Sequence, residues 1–409
     1  MKNKISFVTP LYSPADLSGS SVMVKKIAEL LAKNDYDVTV ITSNALTGRY
    51  WYDPIFGKKI SKTSEVINGV KIHRLSCNQL ISSLCFILVK YLYFLIPLNL
   101  LNKLKIIYSG PYLRGLEKIF IKEKFDTVHC SPFPLNINRQ VAKVIKKYSK
   151  ETKLVFTPLL HTELKEFKNP ELGKIISEAD KIHVITNSEK DFLENFFKVD
   201  SRKVTVFPLF LDTDKMINMF ELNKEIENFR SKHKLTGKKI ILFAGNKGYL
   251  KGAITLLEAI SDLYKKDDSY KLVAIGKDMP EWNKEKKRIN TNFLLDLNYV
   301  DEKTKEIIFA SCDLYCMPSI SESFGLTYLE AWHKKKPVIA ASVASSKEIV
   351  GMANGGLLVK FDDREDLKDK IRQIFKDKEK SKKMGQNGYN ALYSKYNIDE
   401  FYKNFVSII

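Results

Sequence analysis

DLYCMPSISESFGLTYLEAW, residues 313–332, decides how the second half of the chain folds. Its first residues, DLYCMPS, are an apolar run ending at a proline, the pattern of a short strand buried on both faces. The remainder carries apolar side chains at helical spacing. A helix is predicted to start near Ser323 or Phe324, with Ser321 or Ser323 as its cap. The first N–H groups of such a helix have no intrahelical partner and favour an anion. Gly325 leaves room for a ligand against the backbone. Glu322 lies just before the helix, and Glu330 lies roughly 9 Å along its axis from the start. Carboxylates so placed can bracket a diphosphate, Glu330 accepting from ribose hydroxyls and Glu322 from a sugar on the far phosphate. The same spacing also fits a helix with one capping and one solvated glutamate, or a glycosidase pair about 5–10 Å apart.

The surroundings favour the diphosphate. FAGNKGYLKGAITLLEAI, residues 243–260, reads as a strand, a glycine-bearing loop and a helix. Gly245, Gly248 and Gly252 relax the backbone, and Lys247 and Lys251 supply charge. It is no Walker A loop, which needs Gly-Lys followed by Ser or Thr. It is a plausible second wall for the same anion.

The alternation of strand and helix extends over the whole chain. Runs at 4–10, 37–44, 66–76, 125–131, 153–160, 181–188 and 203–210 read as strands of one doubly wound domain, residues 1–208. After a charged helix over 221–235, runs at 238–246, 270–277, 292–299, 313–319, 336–342 and 355–360 form a second, residues 209–390. Beyond residue 363 the pattern is helical except near Gly385 and Gly388. Residues 391–409 are expected to pack back toward the N-terminal domain. Two Rossmann-like domains in tandem imply ligands at the carboxyl ends of their strands.

A formal net charge of +19 favours an anionic partner, but the lysines are spread and not interleaved with aromatics on one face, so a nucleic-acid partner is not expected. Five cysteines without a CxxC pair fit a reduced, cytoplasmic compartment. The start, MKNKISFVTP, has no apolar signal region. No His/Cys cluster suggests zinc, and Asp212 and Asp214, although spaced like a metal-binding pair, are not expected to hold an ion.

LISSLCFILVKYLYFLIPLNLL, residues 80–101, contains 17 apolar residues of 22. Lys90, Pro97 and the strands on both sides argue against a bilayer span. A helix lying in the membrane interface is expected, with Tyr91 and Tyr93 as anchors. The basic chain adds attraction to anionic lipid.

Several stretches together resemble the retaining glycosyltransferases of family four, which have the GT-B fold of two Rossmann-like domains. "PSISESFGLTYLEAW" followed by "KPVIAAS" looks like their signature, and "FAGNKGYLKG" like their diphosphate loop. "KIHVITNSEKDFL", "VFPLFLDTDKM", "FVTPLYSPADLSGSSVMVKKIAELL" and "GGLLVKFDDREDLKDKI" extend the resemblance over nearly the whole chain. It implies transfer of a sugar from a nucleoside diphosphate sugar, UDP favoured and GDP possible, to a hydroxyl of a glycan or lipid-linked acceptor. It further implies retention of anomeric configuration, no metal or other cofactor, and a place in cell-surface polysaccharide or glycolipid synthesis. Together with residues 80–101, the setting implied is the inner face of the cell membrane, peripherally bound. An epimerase or hydrolase acting on the same nucleotide sugar is the alternative.

By the resemblance, Glu322 contacts the donor sugar, Glu330 the ribose, and the loop around Ser323 with the amides of Phe324, Gly325 and Leu326 holds the diphosphate together with Lys251. Gly19 brings N–H groups to the phosphates, and His161 orients the reacting sugar. The chain departs from the family in three places. Asn246 stands where an arginine is usual, with Lys247 as its substitute. Gly19-Ser20 replaces a glycine pair. Lys334-Lys335-Lys336 occupies the place of a glycine before "PVI".

Overall fold

Continuous apolar runs become strands covered on both faces, and two parallel sheets result. The computed structural model describes residues 3–15, 19–53, 55–219 and 221–409. The chain divides into two compact units, Met1–Phe207 with Tyr402–Ile409, and Pro208–Phe401.

In the first unit the strands are Lys4–Val8 (β1), Asp37–Ser43 (β2), Ser64–Ile67 (β3), Val70–Leu75 (β4), Thr127–Cys130 (β5), Lys153–Phe156 (β6), Lys181–Val184 (β7) and Val204–Val206 (β8). They form one sheet in the order β3-β4-β2-β1-β5-β6-β7-β8. All pairings are parallel except β3 with β4. The second unit holds Lys239–Ala244 (β9), Tyr270–Ile275 (β10), Leu294–Leu297 (β11), Leu314–Met317 (β12), Val338–Ala341 (β13) and Gly356–Val359 (β14), in the all-parallel order β11-β10-β9-β12-β13-β14. Chain order reverses between β1 and β5 in one sheet and between β9 and β12 in the other. Connections leave neighbouring strands toward opposite faces there, and a crevice opens at the carboxyl ends. This is the doubly wound architecture read from the sequence, twice over.

Three expectations are corrected. The run at 66–76 is not one strand. Asn68 and Gly69 both take positive φ, +51° and +80°, and turn β3 back onto β4 as a hairpin. Gly385 and Gly388 do not interrupt the last helices: Lys378–Lys395 runs through both. Their absent side chains are needed for packing. A Cβ at Gly388 would lie 2.1 Å from the Trp332 ring, and one at Gly385 2.0 Å from the Lys335 carbonyl. Close approach outweighs the roughly 1 kcal/mol that each glycine costs a helix.

Residues 80–101 are not one helix either. A helix over Gln79–Tyr91 gives way to a single 3-10 turn, Tyr93–Leu95, and Pro97 then precedes a helix over Leu98–Tyr108. Few of these apolar side chains are buried, Cys85, Leu101 and Ile106 among them. Leu80, Phe94, Leu95 and Leu98 are 78, 69, 69 and 71% exposed. The Lys90 ammonium lies 5.2 Å over the Phe86 ring and 5.1 Å over the Tyr91 ring, cation–π contacts at an exposed position. Among the described residues no helix is long and apolar enough to cross a membrane.

In the first unit a polar chain threads the sheet. The His183 Nε2–H donates to the Phe207 carbonyl at 2.8 Å, so its Nδ1 accepts from the Thr157 hydroxyl at 3.1 Å. The Thr157 oxygen in turn lies 2.7 Å from His129 Nε2. The rings of Phe7 and Phe405 close over His129 at 5.1 and 5.3 Å, bringing the last residues of the chain into this core. Burial holds His129 and His183 neutral, with pKa values pushed down to about 3 and about 4. In the second unit His333 is likewise pushed down to about 4, chiefly by burial.

These depressed values set a pH dependence. Above pH of about 6.5 the histidines are neutral in both folded and unfolded chains and cost nothing; below it the unfolded chain binds protons that the folded one refuses. Stability should therefore fall as pH drops from 7.5 to 5.5, by about 1 kcal/mol per buried imidazole. Urea unfolding at the two pH values measures this, and unchanged midpoints would contradict the neutral, buried state.

Candidate active site

The loops that leave β9 and β12, the two strands flanking the reversal of the second sheet, are locked to each other. Gly252 has φ +72°, and a Cβ there would lie 2.3 Å from the Pro318 carbonyl oxygen. Ile320 N–H donates to the Leu250 carbonyl at 3.0 Å, and the Ser319 hydroxyl donates to the same oxygen at 3.1 Å. The tight 3-10 turn Tyr249–Lys251 therefore presents Lys251 to the loop after β12, where its ammonium meets Glu322 Oε2 at 2.6 Å.

The helix begins later than its sequence suggests. It spans Leu326–His333 with Gly325 at its N-cap and no serine cap. Gly325 takes φ +85°, and a Cβ there would strike the Tyr328 ring at 2.4 Å, so glycine is required by the chain itself. None of the Phe324, Gly325 and Leu326 N–H groups is taken by a backbone acceptor among the described residues. Phe324 is buried against Tyr396, which fixes the entry to the helix, while Ser323 is half-buried in the same loop.

Glu330 is the most informative residue of the helix. Lys305 Nζ donates to its Oε1 at 2.9 Å. Its Oε2 is buried and has no hydrogen-bond partner among the described residues. A buried acceptor left unmatched costs about 1–3 kcal/mol, so this oxygen calls for a donor from water or from a ligand. Lys305, on the helix Glu302–Ser311, also contacts Glu302 at 2.8 Å. Burial opposes its charge, but Glu330 and Glu302 outweigh burial and hold its pKa above the usual lysine value. Lys305 turns one carboxylate oxygen of Glu330 inward and leaves the other unclaimed. No sequence signal identifies it, because the pairing joins two helices 25 residues apart.

Lys247 is a correction. It was expected to supply charge to a diphosphate, but its side chain is fully buried among acids. Its ammonium lies 2.5 Å from Asp296 Oδ1 and 2.8 Å from the Leu297 carbonyl. It also lies 2.6 Å from Asp278 Oδ1, in an ion pair without hydrogen-bond alignment. Lys286 bridges the same two aspartates, and the Trp282 indole N–H donates to Asp296 at 3.0 Å. Lys247 thus anchors the loop to the ends of β10 and β11 and does not replace the arginine absent at Asn246.

Gly19 and His161 belong to the first unit. Gly19 opens the helix Gly19–Lys33, with open space where a Cβ would stand. Of the loop before it, residues 16–18 lie outside the described residues. His161 follows β6, its ring 5.4 Å from that of Phe167. In the crossover, Asp212 pairs with Lys215 at 2.9 Å. No group of three or more His, Cys, Asp or Glu side chains among the described residues is placed to hold a metal ion.

The lysines that replace a glycine before "PVI" are explained by the helix end. Lys336 N–H donates to the Ala331 carbonyl and Lys335 N–H to that of Trp332, a Schellman closure that places Lys335 in the left-handed region at φ +52°. The Lys335 ammonium lies 4.7 Å over the Tyr389 ring. Lys334 is buried, donating to Glu306 at 2.9 Å and to the Ile217 carbonyl at 2.6 Å.

The two loop lysines should separate in mutagenesis. Lys247→Met removes a fully buried ammonium from two half-buried aspartates and should destabilise the protein by about 3 kcal/mol. Lys251→Met, at a partly exposed pair, should cost less than about 1 kcal/mol. Urea unfolding of both variants measures the difference, and equal costs would contradict the structural role of Lys247.

Two family models match the chain, Glycosyltransferase Family 4 over residues 17–215 and Glycosyl transferases group 1 over residues 225–391. An uncharacterized glycosyltransferase of Methanocaldococcus jannaschii is 23% identical over 417 residues, covering 99% of this chain and 97% of that protein. A D-inositol 3-phosphate glycosyltransferase of Stackebrandtia nassauensis is 26% identical over 223 residues, covering 50% of this chain and 48% of that protein. Among solved structures, sucrose-phosphate synthase from Thermosynechococcus elongatus superposes with TM-score 0.74 at 17% identity and full coverage of both chains. Anabaena HepE, in complex with UDP and glucose, superposes with TM-score 0.73 at 13% identity, covering 99% of this chain and 98% of that one. Two doubly wound sheets agree with these likenesses, and the chain belongs to the group 1, family 4 glycosyltransferases of GT-B fold.

Proposed function

We propose that this glycosyltransferase moves a sugar from a nucleoside diphosphate sugar to an acceptor hydroxyl with retention at the anomeric carbon. The observation that carries the donor assignment is the buried, unpartnered Oε2 of Glu330, placed on the helix whose first N–H groups are unclaimed. A ribose hydroxyl would supply the missing donor. The diphosphate would accept from the amides of Phe324, Gly325 and Leu326 and from Lys251, with Ser323 beside them. HepE, a structural neighbour, is described with UDP and with UDP-glucose, which supports uridine as the base here, with guanosine the other candidate.

In the reaction the bond between the anomeric carbon and the diphosphate oxygen breaks as the acceptor oxygen bonds to the same carbon from the same face. The acceptor proton passes to the departing diphosphate oxygen. The chain's task is electrostatic: Lys251 and the helix amides stabilise charge growing on the diphosphate. Lys251 pairs with Glu322 at 2.6 Å. Substrate therefore competes for this ammonium, and Glu322, once relieved, accepts from the sugar hydroxyls. His161 orients the sugar, and Gly19 offers backbone N–H groups to the phosphates. No metal is needed, because lysine and helix terminus meet the leaving-group charge.

The acceptor is a glycan or lipid-linked carrier in cell-surface polysaccharide or glycolipid synthesis, and the protein works peripherally on the cytoplasmic face of a membrane. The exposed apolar side chains of Gln79–Tyr91 and of the turn before Leu98 support this, since contiguous exposed apolar surface marks a contact.

Glu330→Ala should weaken binding of the nucleoside diphosphate about 10- to 100-fold, the worth of hydrogen bonds to a charged acceptor. Calorimetric titration with UDP and with GDP measures it. Unchanged affinity would remove Glu330 from the site. Turnover should survive EDTA, whereas loss restored by magnesium or manganese would redirect attention to Asp212 and Asp214.

A further inference from the structure

Three helices of the first unit, Leu98–Tyr108, Asn136–Tyr148 and Pro170–Ser177, enclose a cavity of about 440 Å³. It is not part of the site described above, all of whose proposed donor-binding residues except His161 and Gly19 belong to the other unit. Five basic residues line it: Lys103, Arg139, Lys143, Lys146 and Lys174. Two acids share it and are already used, Glu171 by Lys174 at 2.6 Å and Glu178 by Lys146 at 3.4 Å. Lys103, Arg139 and Lys143 have no acidic partner among the described residues. Arg139 and Lys143 stand one helical turn apart, and the guanidinium, with burial second, holds the Lys143 pKa below the usual lysine value. Like charges at this spacing cost stability unless an anion comes between them. A second hollow, of about 180 Å³, adjoins the first and shares Arg139 and Lys143.

The cavity shares one helix, Leu98–Tyr108, with the apolar surface. Leu98 and Leu100 are exposed, and on the same helix Lys103 and Ile106 line the basic wall. From Leu98 to Lys103 is about 7.5 Å of helix. Apolar surface and unmatched positive charge are thus separated by roughly the depth of the boundary between lipid headgroups and acyl chains, where interfacial helices lie. The Asn169 amide, donating to the Asn102 carbonyl at 2.9 Å, fixes this helix to the one behind it. Charge alone would admit any phosphorylated solute; its attachment to an apolar surface selects one anchored in a bilayer.

We propose that this cavity seats the phosphate-bearing headgroup of an anionic membrane lipid while the neighbouring apolar turn, Tyr93–Leu98, enters the bilayer. The proposal rests on the membrane setting argued above and adds to it a defined site for lipid charge, apart from the place where donor binds.

The test is co-sedimentation of the full chain with vesicles of phosphatidylcholine alone and of phosphatidylcholine mixed with phosphatidylglycerol. Wild type is compared with Arg139→Glu/Lys143→Glu and with Lys118→Glu/Lys122→Glu, an equal charge change on exposed positions of another helix of the same unit. At about 1 kcal/mol for each basic residue held at the surface, the first pair should lose tenfold or more of its affinity for the mixed vesicles, and the second pair much less. Equal losses in both variants would reduce the effect to net charge and overturn the site while leaving the membrane setting intact. Wild type remaining in solution with both vesicles would overturn site and setting together. Glycerol 3-phosphate is the third arm: if it raises the thermal midpoint of wild type but not of Arg139→Glu/Lys143→Glu, and vesicles do not bind, the occupant is a free phosphorylated solute and the lipid assignment is wrong. Should the Glu pair fold poorly by circular dichroism, Arg139→Gln/Lys143→Gln must show a smaller loss of the same sign.

Discussion

The contact between Gly252 and Pro318 governs the candidate site. No side chain fits between them, so the loops after β9 and β12 are held at backbone contact. That contact places Lys251 on Glu322 and leaves the start of the following helix with its N–H groups unclaimed. An ammonium, a carboxylate and a helix terminus converge without a long side chain having to search for its place. Preorganisation of this kind stabilises developing charge, because the dipoles need not be reoriented during reaction.

Charge in the second unit is divided between support and chemistry. Lys247, Lys286 and Lys334 lie among carboxylates and carbonyls and bind the loops and the crossover to the body of the unit. Lys251 is less buried and has a single carboxylate partner, so an anionic ligand can compete for it. Lys305 stands between these roles: it is a structural cation whose effect on Glu330 is to engage one oxygen and leave the other for a ligand. Removing water from a charge is costly, and only groups that keep close partners are buried deeply.

The first unit shows a different economy. Its core carries a polar thread, His129, Thr157 and His183, in which each hydroxyl and ring nitrogen but one finds a partner among the described residues. Its outer face carries what the core does not absorb, an apolar helix pair and a group of unmatched basic side chains. Neither feature is explained by stability of the unit alone.

Much of this was legible in the sequence. Continuous apolar runs at KISFV, KIILFA and LYCM are strands because only burial on both faces tolerates them, and strand–helix alternation forces parallel pairing. The glutamates of SESFGLTYLEAW and the glycine loop before Lys251 were singled out by local spacing together with the family resemblance. What escaped depended on partners distant in sequence. Lys247 and Lys251 look alike along the chain, but only one meets Asp278 and Asp296. Gly388 looks like a helix breaker until Trp332 is packed on it, and Gly325 like room for a ligand until Tyr328 fills that space. Local sequence determines backbone preference and the pattern of burial. Which lysine is neutralised and which carboxylate oxygen is left without a donor is decided by tertiary packing, because charge and close contact act through space and not along the chain.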